Sequence, residues 1–292
     1  MMDAPSETDT KTESPIGDGA DTMVITQISD LHLRDDGVPL KQRVDSDTAL
    51  ETTIDHINAW SRAPDVVLAT GDLVQKAKRQ DYGNLRRKLD RLKAPYFVIP
   101  GNHDDRALMR ETFSDKGYLS EGEAFIHYTV DGYPLRLIGL DTLIEGEDGG
   151  EMCAARRDWL SARLAEQPDT PTFIFMHHPP FKTGVKFLDK HAFKGAAELE
   201  AVVKRHPQVV WIACGHLHRH MQVRWGGTVA AISPSVVFQL PMALTPGAAK
   251  GFSLEPSGCP VYVWKPETGL VAQMSLIGDF GGLHPFVRDP VM

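Results

Sequence analysis

Cysteine is scarce. Cys153, Cys214 and Cys259 are the only three in 292 residues, too few and too scattered for a disulfide framework, and no Cys-x-x-Cys pair marks a zinc or redox site. A reducing compartment follows. With no charged segment leading into an apolar one near the N-terminus, the expected setting is the cytoplasm. Long apolar runs are missing as well: Val209 to Cys214 is among the longest and falls far short of the ~20 residues of a membrane-spanning helix. Basic charge is in deficit, with 31 Lys and Arg against 39 Asp and Glu, a net charge of −8. This argues against long nucleic acid as the main ligand, because binding driven by counterion release needs clustered Lys and Arg. The deficit is uneven. Residues 1–22 hold six acids and one base, Lys11, which leaves a nearly balanced remainder.

The acidic leader, residues 1–22, is rich in Ser, Thr, Asp, Glu, Gly and Pro and has little to bury, so it reads as disordered. Beyond Met23 the chain has apolar content for one sizeable domain. Val24 to Ser29, Val66 to Thr70 and Pro95 to Ile99 are short β-prone runs, separated by helical periodicity from Asp45 to Trp60 and from Gln80 to Leu92. Such alternation predicts parallel βαβ units. Phe125 to Val130 and Leu135 to Leu140 flank Asp131-Gly132-Tyr133-Pro134, a hairpin signal. Ala154 to Glu166 and Ala196 to Arg205 read as helices, and Phe173 to Met176 and Val209 to Ala213 as strands. Short strands around Gly and Pro follow from Gln222 to Ser275. The expectation is one α/β domain over 23–292 with a two-sheet core.

Each buried strand runs into residues that bind metals. Asp30-Leu31-His32 follows the first, Gly71-Asp72 the second, Gly101-Asn102-His103-Asp104 the third, His177-His178-Pro179-Pro180 the Phe173 strand and Gly215-His216-Leu217-His218 the Val209 strand. Alternate residues of an extended segment point the same way, so Asp30 and His32 are expected to grip one ion together. In open α/β sheets ligands bind beyond the carboxyl ends of strands, so the five clusters should converge. Singly each has a bland reading: Gly71-Asp72 as a turn with a helix cap, His177-His178 as loop histidines. Five in this order leave chance a poor explanation.

That order resembles the calcineurin-like metallophosphoesterase superfamily, and Gly101 to Arg106, His177 to Phe181 and Ile277 to Phe280 resemble its branch of class III cyclic nucleotide phosphodiesterases and glycerophosphodiesterases. The resemblance implies an αββα fold, a two-sheet sandwich flanked by helices, and two divalent or mixed-valence metal ions drawn from Mn, Fe, Zn or Co. It implies Asp30, His32 and His218 on the first ion, Asn102, His177 and His216 on the second, and Asp72 between them. Two such ions clamp the attacking and leaving oxygens of a displacement at phosphorus and make hydroxide available near neutral pH. The implied activity is hydrolysis of small phosphodiesters, most of all cyclic nucleotides, with glycerophosphodiesters or another acyclic diester as the alternative and a non-catalytic binding scaffold as the contrasting class.

His103 directly follows a ligand, and an adjacent residue of an extended chain faces away from the metal. The resemblance makes it a substrate contact or the proton donor to the leaving oxygen, a task that suits an imidazole. Asn102 would also touch substrate. Arg106 reads either as a phosphate contact or as half of a local salt bridge, Asp104 as a loop anchor and His178 as packing behind the ligands. Where purple acid phosphatases carry a ligating Tyr three residues after the Asp of the second motif, Gln75 stands here, and where serine/threonine phosphatases continue Asp-Arg-Gly, Leu73-Val74-Gln75 follows. The substrate pocket is expected to depend on residues 33–44, 181–194 and 236–257. The stretch 236–292 reads as a cap over the site or as a contact in a homodimer.

Overall fold

Short β-prone runs rich in Val and Ile settle as strands largely buried on both faces. Three of them open the fold: β1 (Met23–Ile28), β2 (Val66–Thr70) and β3 (Tyr96–Ile99), adjacent and parallel. The computed structural model describes residues 21–282 and residue 284, apart from 35, 36, 42, 120–122, 192 and 246. The acidic leader therefore lies outside the described residues except for Asp21 and Thr22. Helix α1 (Ser46–Asn58) links β1 to β2, and α2 (Arg79–Leu89) links β2 to β3. Asp45 starts α1 by accepting from the amides of Asp47 and Thr48 at 3.0 and 3.2 Å, which satisfies donors that have no partner within the helix. Leu50, Ile54 and Ile57 form its buried face.

The second half builds its own sheet from β4 (Tyr128–Val130), β5 (Arg136–Leu140), β6 (Thr172–Met176), β7 (Val209–Cys214), β8 (Met221–Trp225) and β9 (Thr228–Ile232), in the order β4-β5-β6-β7-β9-β8. Its four central strands, β5, β6, β7 and β9, are parallel. Strands β10 (Gly258–Lys265) and β11 (Gly269–Leu276) return to the first sheet, giving β11-β10-β1-β2-β3. Side chains of a strand alternate between faces, and that alternation layers the molecule. Phe173 and Phe175 of β6 and Trp211 and Ala213 of β7 enter the core shared with the first sheet. Ile174, Met176, Ile212 and Cys214 face the other way, onto Leu160 and Leu164 of α4 (Ala154–Glu166) and Leu199, Val202 and Val203 of α5 (Ala196–Lys204). The result is an α/β sandwich of two mixed sheets flanked by helices. Among the described residues no helix is long and apolar enough to cross a membrane.

Two local expectations need correction. The strand expected from Phe125 begins only at Tyr128, because the Ile126 amide donates to the Asp141 carboxylate at 2.9 Å rather than to a neighbouring strand. A seven-residue helix, α3 (Arg106–Thr112), stands where no periodicity announced one; the Asp105 carboxylate caps it through the Leu108 amide at 2.8 Å. Within 236–292, residues 258–265 and 269–276 form the two strands β10 and β11 of the first sheet.

Gln27 stitches the sheets together. Its fully buried amide donates to Thr70 Oγ1 at 2.8 Å and to the Cys214 carbonyl of the other sheet at 2.9 Å, and it accepts from the Tyr262 hydroxyl of β10 at 2.7 Å. Gln27→Leu leaves the buried Tyr262 hydroxyl without its acceptor, while the Cys214 carbonyl keeps the Ser233 amide and Thr70 Oγ1 keeps the Ile28 carbonyl. A loss of about 1–3 kcal/mol is expected, seen as a lower urea midpoint at unchanged slope. An unchanged midpoint would show that the stitch contributes nothing net.

Candidate metal centre

The parallel strands bring the ends of β1, β2, β3, β6 and β7 to one edge of the sandwich, and there the backbone departs from extended geometry. Among the described residues six other than glycine have φ in the left-handed region, and five of them are Asp30 (54°), His32 (44°), Asp72 (49°), His216 (74°) and His218 (48°). Such conformations cost about 1–3 kcal/mol each and persist only where the surrounding structure imposes them. Asp30 and His32 thus converge through a coiled turn, not along an extended strand as their spacing suggests. His103 departs from expectation in the same way: Gly101 to Asp104 is a turn closed by a bond from the Asp104 amide to the Gly101 carbonyl, and His103 Nε2 faces the site 4.0 Å from Asp72 Oδ2. Gly101 is required here, since a Cβ would collide with the Asp72 amide and carboxylate.

The seven ligand candidates do meet. His32 Nε2 and His218 Nε2 lie 3.0 Å apart, and Asp30 Oδ1 lies 3.2 Å from His218 Nε2. Asp72 reaches both halves, with Oδ2 3.6 Å from His32 Nε2 and Oδ1 3.3 Å from His177 Nε2. Asn102 Oδ1 is 3.3 Å from His177 Nε2. The His216 amide donates to both Asp30 oxygens at 3.0 Å, and its ring lies 5.2 Å from that of His177. Ligating atoms of His177, His178 and His216 fall within 4.8 Å of one another, as do those of Asp30, His32 and His218 and of Asp30, Asp72 and His177.

Hydrogen bonding decides which ring nitrogens face inward. His218 Nδ1 lies 2.9 Å from the Phe238 carbonyl and His177 Nδ1 2.8 Å from the Thr70 carbonyl. A carbonyl only accepts, so each Nδ1 carries a proton and each neutral ring turns the bare lone pair of Nε2 inward. His218 Nε2 then confronts a carboxylate oxygen, and His177 Nε2 confronts a carboxylate and an amide oxygen. Acceptors set against acceptors at 3.2–3.3 Å repel unless a proton or a cation lies among them. This mixed set of imidazole, carboxylate and amide donors fits Mn²⁺, Fe or Zn²⁺, and the bonds from Nδ1 are the outer support that metal-binding histidines use.

Protons meet part of that demand. Burial opposes charge on His177, but the Asp72 carboxylate outweighs it and lifts the imidazole to about 9. Burial likewise raises Asp30, yet His218 beside it holds the carboxyl down at about 2. His32 and His216 are pushed down to about 3, first by burial.

A cavity of about 530 Å³ opens onto this centre, lined by Asp72, Asn102, His103 and His216 and by residues of all three loops singled out in the sequence, Lys41, His191 and Phe252 among them. Arg106 is not among its lining residues. Its guanidinium is bidentate on buried Asp141, at 2.6 and 2.9 Å, and donates to the Leu143 carbonyl at 2.7 Å.

The model of the calcineurin-like phosphoesterases matches residues 23–220. The chain belongs to this family. It is 31% identical over 268 residues, 91% of this chain and 98% of the relative, to a probable glycerophosphodiester phosphodiesterase, GpdQ, of Arcobacter nitrofigilis. It is 29% identical over 215 residues, 74% of this chain and 76% of the relative, to the 3′,5′-cyclic adenosine monophosphate phosphodiesterase CpdA of Escherichia coli. In fold it is similar to a dimetal phosphatase from Danio rerio, with a TM-score of 0.60 at 15% identity over 88% of this chain and 99% of the other.

Two main-chain supports of this calcineurin-like phosphoesterase centre had no signal in the sequence. Phe238 and Thr70 act through main-chain carbonyls. Thr142 Oγ1 meets His178 Nδ1 at 2.8 Å, leaving His178 Nε2 buried and without a hydrogen bond beside the other imidazoles. The Asp104 carboxylate gathers the Gly101 and Leu73 amides and the Tyr82 hydroxyl at 2.9, 3.1 and 2.9 Å, tying the turn after β2 to the turn after β3.

The raised His177 generates a sign-specific prediction. In chelator-stripped protein the imidazole stays protonated below about 9, and that proton competes with a cation for Nε2. Mn²⁺ should therefore bind more tightly at pH 8.5 than at pH 6.5 and release about one proton per site. Calorimetry at pH 7.5 in buffers of different ionisation enthalpy reads the proton count; pH-independent affinity with no release would exclude a protonated His177.

Proposed function

We propose that this chain hydrolyses small phosphodiesters, cyclic nucleotides foremost, with two divalent or mixed-valence ions from Mn, Fe, Zn and Co held at the strand ends. Asp30, His32 and His218 hold one ion, Asn102, His177 and His216 the other, and Asp72 stands between them. The observation that carries this reading is the pair of acceptor clusters joined through the two oxygens of Asp72, 3.6 Å from His32 and 3.3 Å from His177. When bound, the ions supply Lewis-acid charge that activates water and offsets charge developing at phosphorus. The names of the bacterial relatives, a cyclic AMP phosphodiesterase and a probable glycerophosphodiesterase, support the diester class. The greater coverage of the second keeps glycerophosphodiesters as the alternative.

His103 completes the chemistry. Its Nδ1 donates to the Gln75 carbonyl at 2.9 Å, which leaves Nε2 toward the cavity and steadies the ring when both nitrogens are protonated. Water provides the attacking oxygen, the ester bond from phosphorus to the leaving alcohol breaks, and the Nε2 proton passes to the leaving oxygen. Asn102 both ligates and contacts the phosphate. Arg106, held by Asp141, keeps its proposed phosphate contact only through movement away from that carboxylate. Residues 23–292 act as one domain in which the arm ahead of β10 caps the site, and three free cysteines accord with a cytoplasmic setting.

Lys41 is the only Lys or Arg among the described residues lining the cavity. One negative charge at a diester phosphate asks for less cationic support than the nearly two of a monoester. Kinetics with bis-p-nitrophenyl phosphate, p-nitrophenyl phosphate and 2′,3′- and 3′,5′-cyclic AMP should give diesters the higher kcat/KM. A clear monoester preference refutes the proposal, and turnover of acyclic diesters alone moves it to the alternative. Asp72→Ala should lose both metal and turnover, whereas His103→Ala should keep its metal by elemental analysis and slow turnover about 10²-fold. Equal metal loss in both variants would remove the proton-donor role.

A further inference from the structure

The cavity is polar where it meets the ligand candidates and apolar beyond them. Phe187, Leu188, Leu217, Phe238, Leu240 and Phe252 line it, and three of these, Phe238, Leu240 and Phe252, lie past residue 220, where the match to the family model ends. These three stand on the arm between β9 and β10. The arm is also braced. Gln239 and Ser253 exchange backbone hydrogen bonds at 3.0 and 2.9 Å, pairing the two limbs of the arm. Arg219, next to His218, donates to the Leu240 carbonyl of one limb at 2.6 Å and to both Glu255 oxygens of the other at 2.9 Å. The Phe238 ring packs on His218 and His32, with centroids 4.5 and 5.8 Å away, and Phe252 meets Phe238 edge-on at 5.6 Å. An apolar surface thus begins in contact with the imidazoles and runs outward along a held arm.

We infer that Phe252 and Leu240 form a subsite for a flat, apolar substituent of the substrate, so that the chain selects phosphodiesters bearing a nucleobase-like or aryl group over those bearing only glycerol-like alcohols. The inference rests on the proposed diesterase site and specifies its substrate class. A hydroxylated three-carbon alcohol buries little apolar area and forfeits hydrogen bonds to water against such a wall, whereas a planar ring gains in proportion to the area covered. Phe238, whose carbonyl orients His218, belongs to the support of the metal centre. Phe252 packs on Phe238 and Leu240 accepts from Arg219 through its carbonyl, and the side chains of both line the cavity without bonding a ligand candidate.

The test separates the subsite from catalysis by using phosphonates, which are not hydrolysed. Calorimetry on the purified protein supplemented with Mn²⁺ compares phenylphosphonate with methylphosphonate. Binding about tenfold tighter for the phenyl compound is expected, the gain of burying a ring. Phe252→Ala should reduce the ratio to threefold or less with methylphosphonate affinity unchanged, and Leu240→Ala should act in the same direction. Equal affinities in the unsubstituted protein, no binding of phenylphosphonate, or equal weakening of both ligands in either variant overturns the subsite. A phenyl preference without diester hydrolysis refutes the diesterase reading and leaves the subsite standing; hydrolysis with equal affinities does the reverse.

Discussion

Lone pairs and negative charge converge on a volume a few ångströms across, and the fold prevents them from relaxing apart. Asp30, Asp72, Asn102 and the inward nitrogens of His32, His177 and His218 stand 3.0–3.6 Å from one another. Four of these six residues, and His216 beside them, sit in left-handed backbone. Neither the electrostatic cost nor the backbone strain is recovered locally. Both are tolerated because parallel strands deliver the turns already fixed in place, with Gln27, Asp104 and the Nδ1 bonds of the histidines holding the turns against one another. A site under this tension is preorganised for cations, since binding relieves the repulsion instead of creating it.

How far this was legible in the sequence depends on where the information is held. The two-sheet α/β core was legible because apolar runs and helical periodicity report burial directly, and the five clusters were legible because strand ends of a parallel sheet share one edge. The route of convergence was not. Alternation along a strand gave a plausible reason for Asp30 and His32 to point together, but the backbone there is coiled, and the same assumption faced His103 away from the ligand candidates, although its Nε2 stands 4.0 Å from Asp72 Oδ2. The carbonyls of Thr70, Gln75 and Phe238 left no trace, because a main-chain acceptor is the same in every residue. The shortening of β4 by Asp141 and the short helix after Asp105 depend on single capping or competing carboxylates, which are weak signals beside a period.

Chemistry and selection are divided between different parts of the chain. The ligand candidates stand at the ends of sheet strands, where a displacement is resisted by the whole ladder. Half of the apolar wall stands on an arm whose limbs are joined by the Gln239–Ser253 pair and braced by one arginine. Such a partition lets the arm change while the centre is kept, since loops tolerate substitution that strands do not. Arg219 couples the two, because the residue that braces the arm is the neighbour of a ligand candidate.

The return of β10 to lie against β1 has a consequence for how the molecule comes into being. Met23 pairs with Trp264 and Thr26 with Val261, so a strand synthesised among the first is completed only by one synthesised among the last. On a ribosome that releases the chain from its N-terminal end, β1 waits with an open edge for more than two hundred residues. Open edges are templates for association with other chains. Gln27 lacks the Cys214 carbonyl until β7 is made and the Tyr262 hydroxyl until β10 is made. The sheet that seats Asp30 therefore closes late, which makes the nascent chain most dependent on chaperone cover just before the strand that silences its exposed edge emerges.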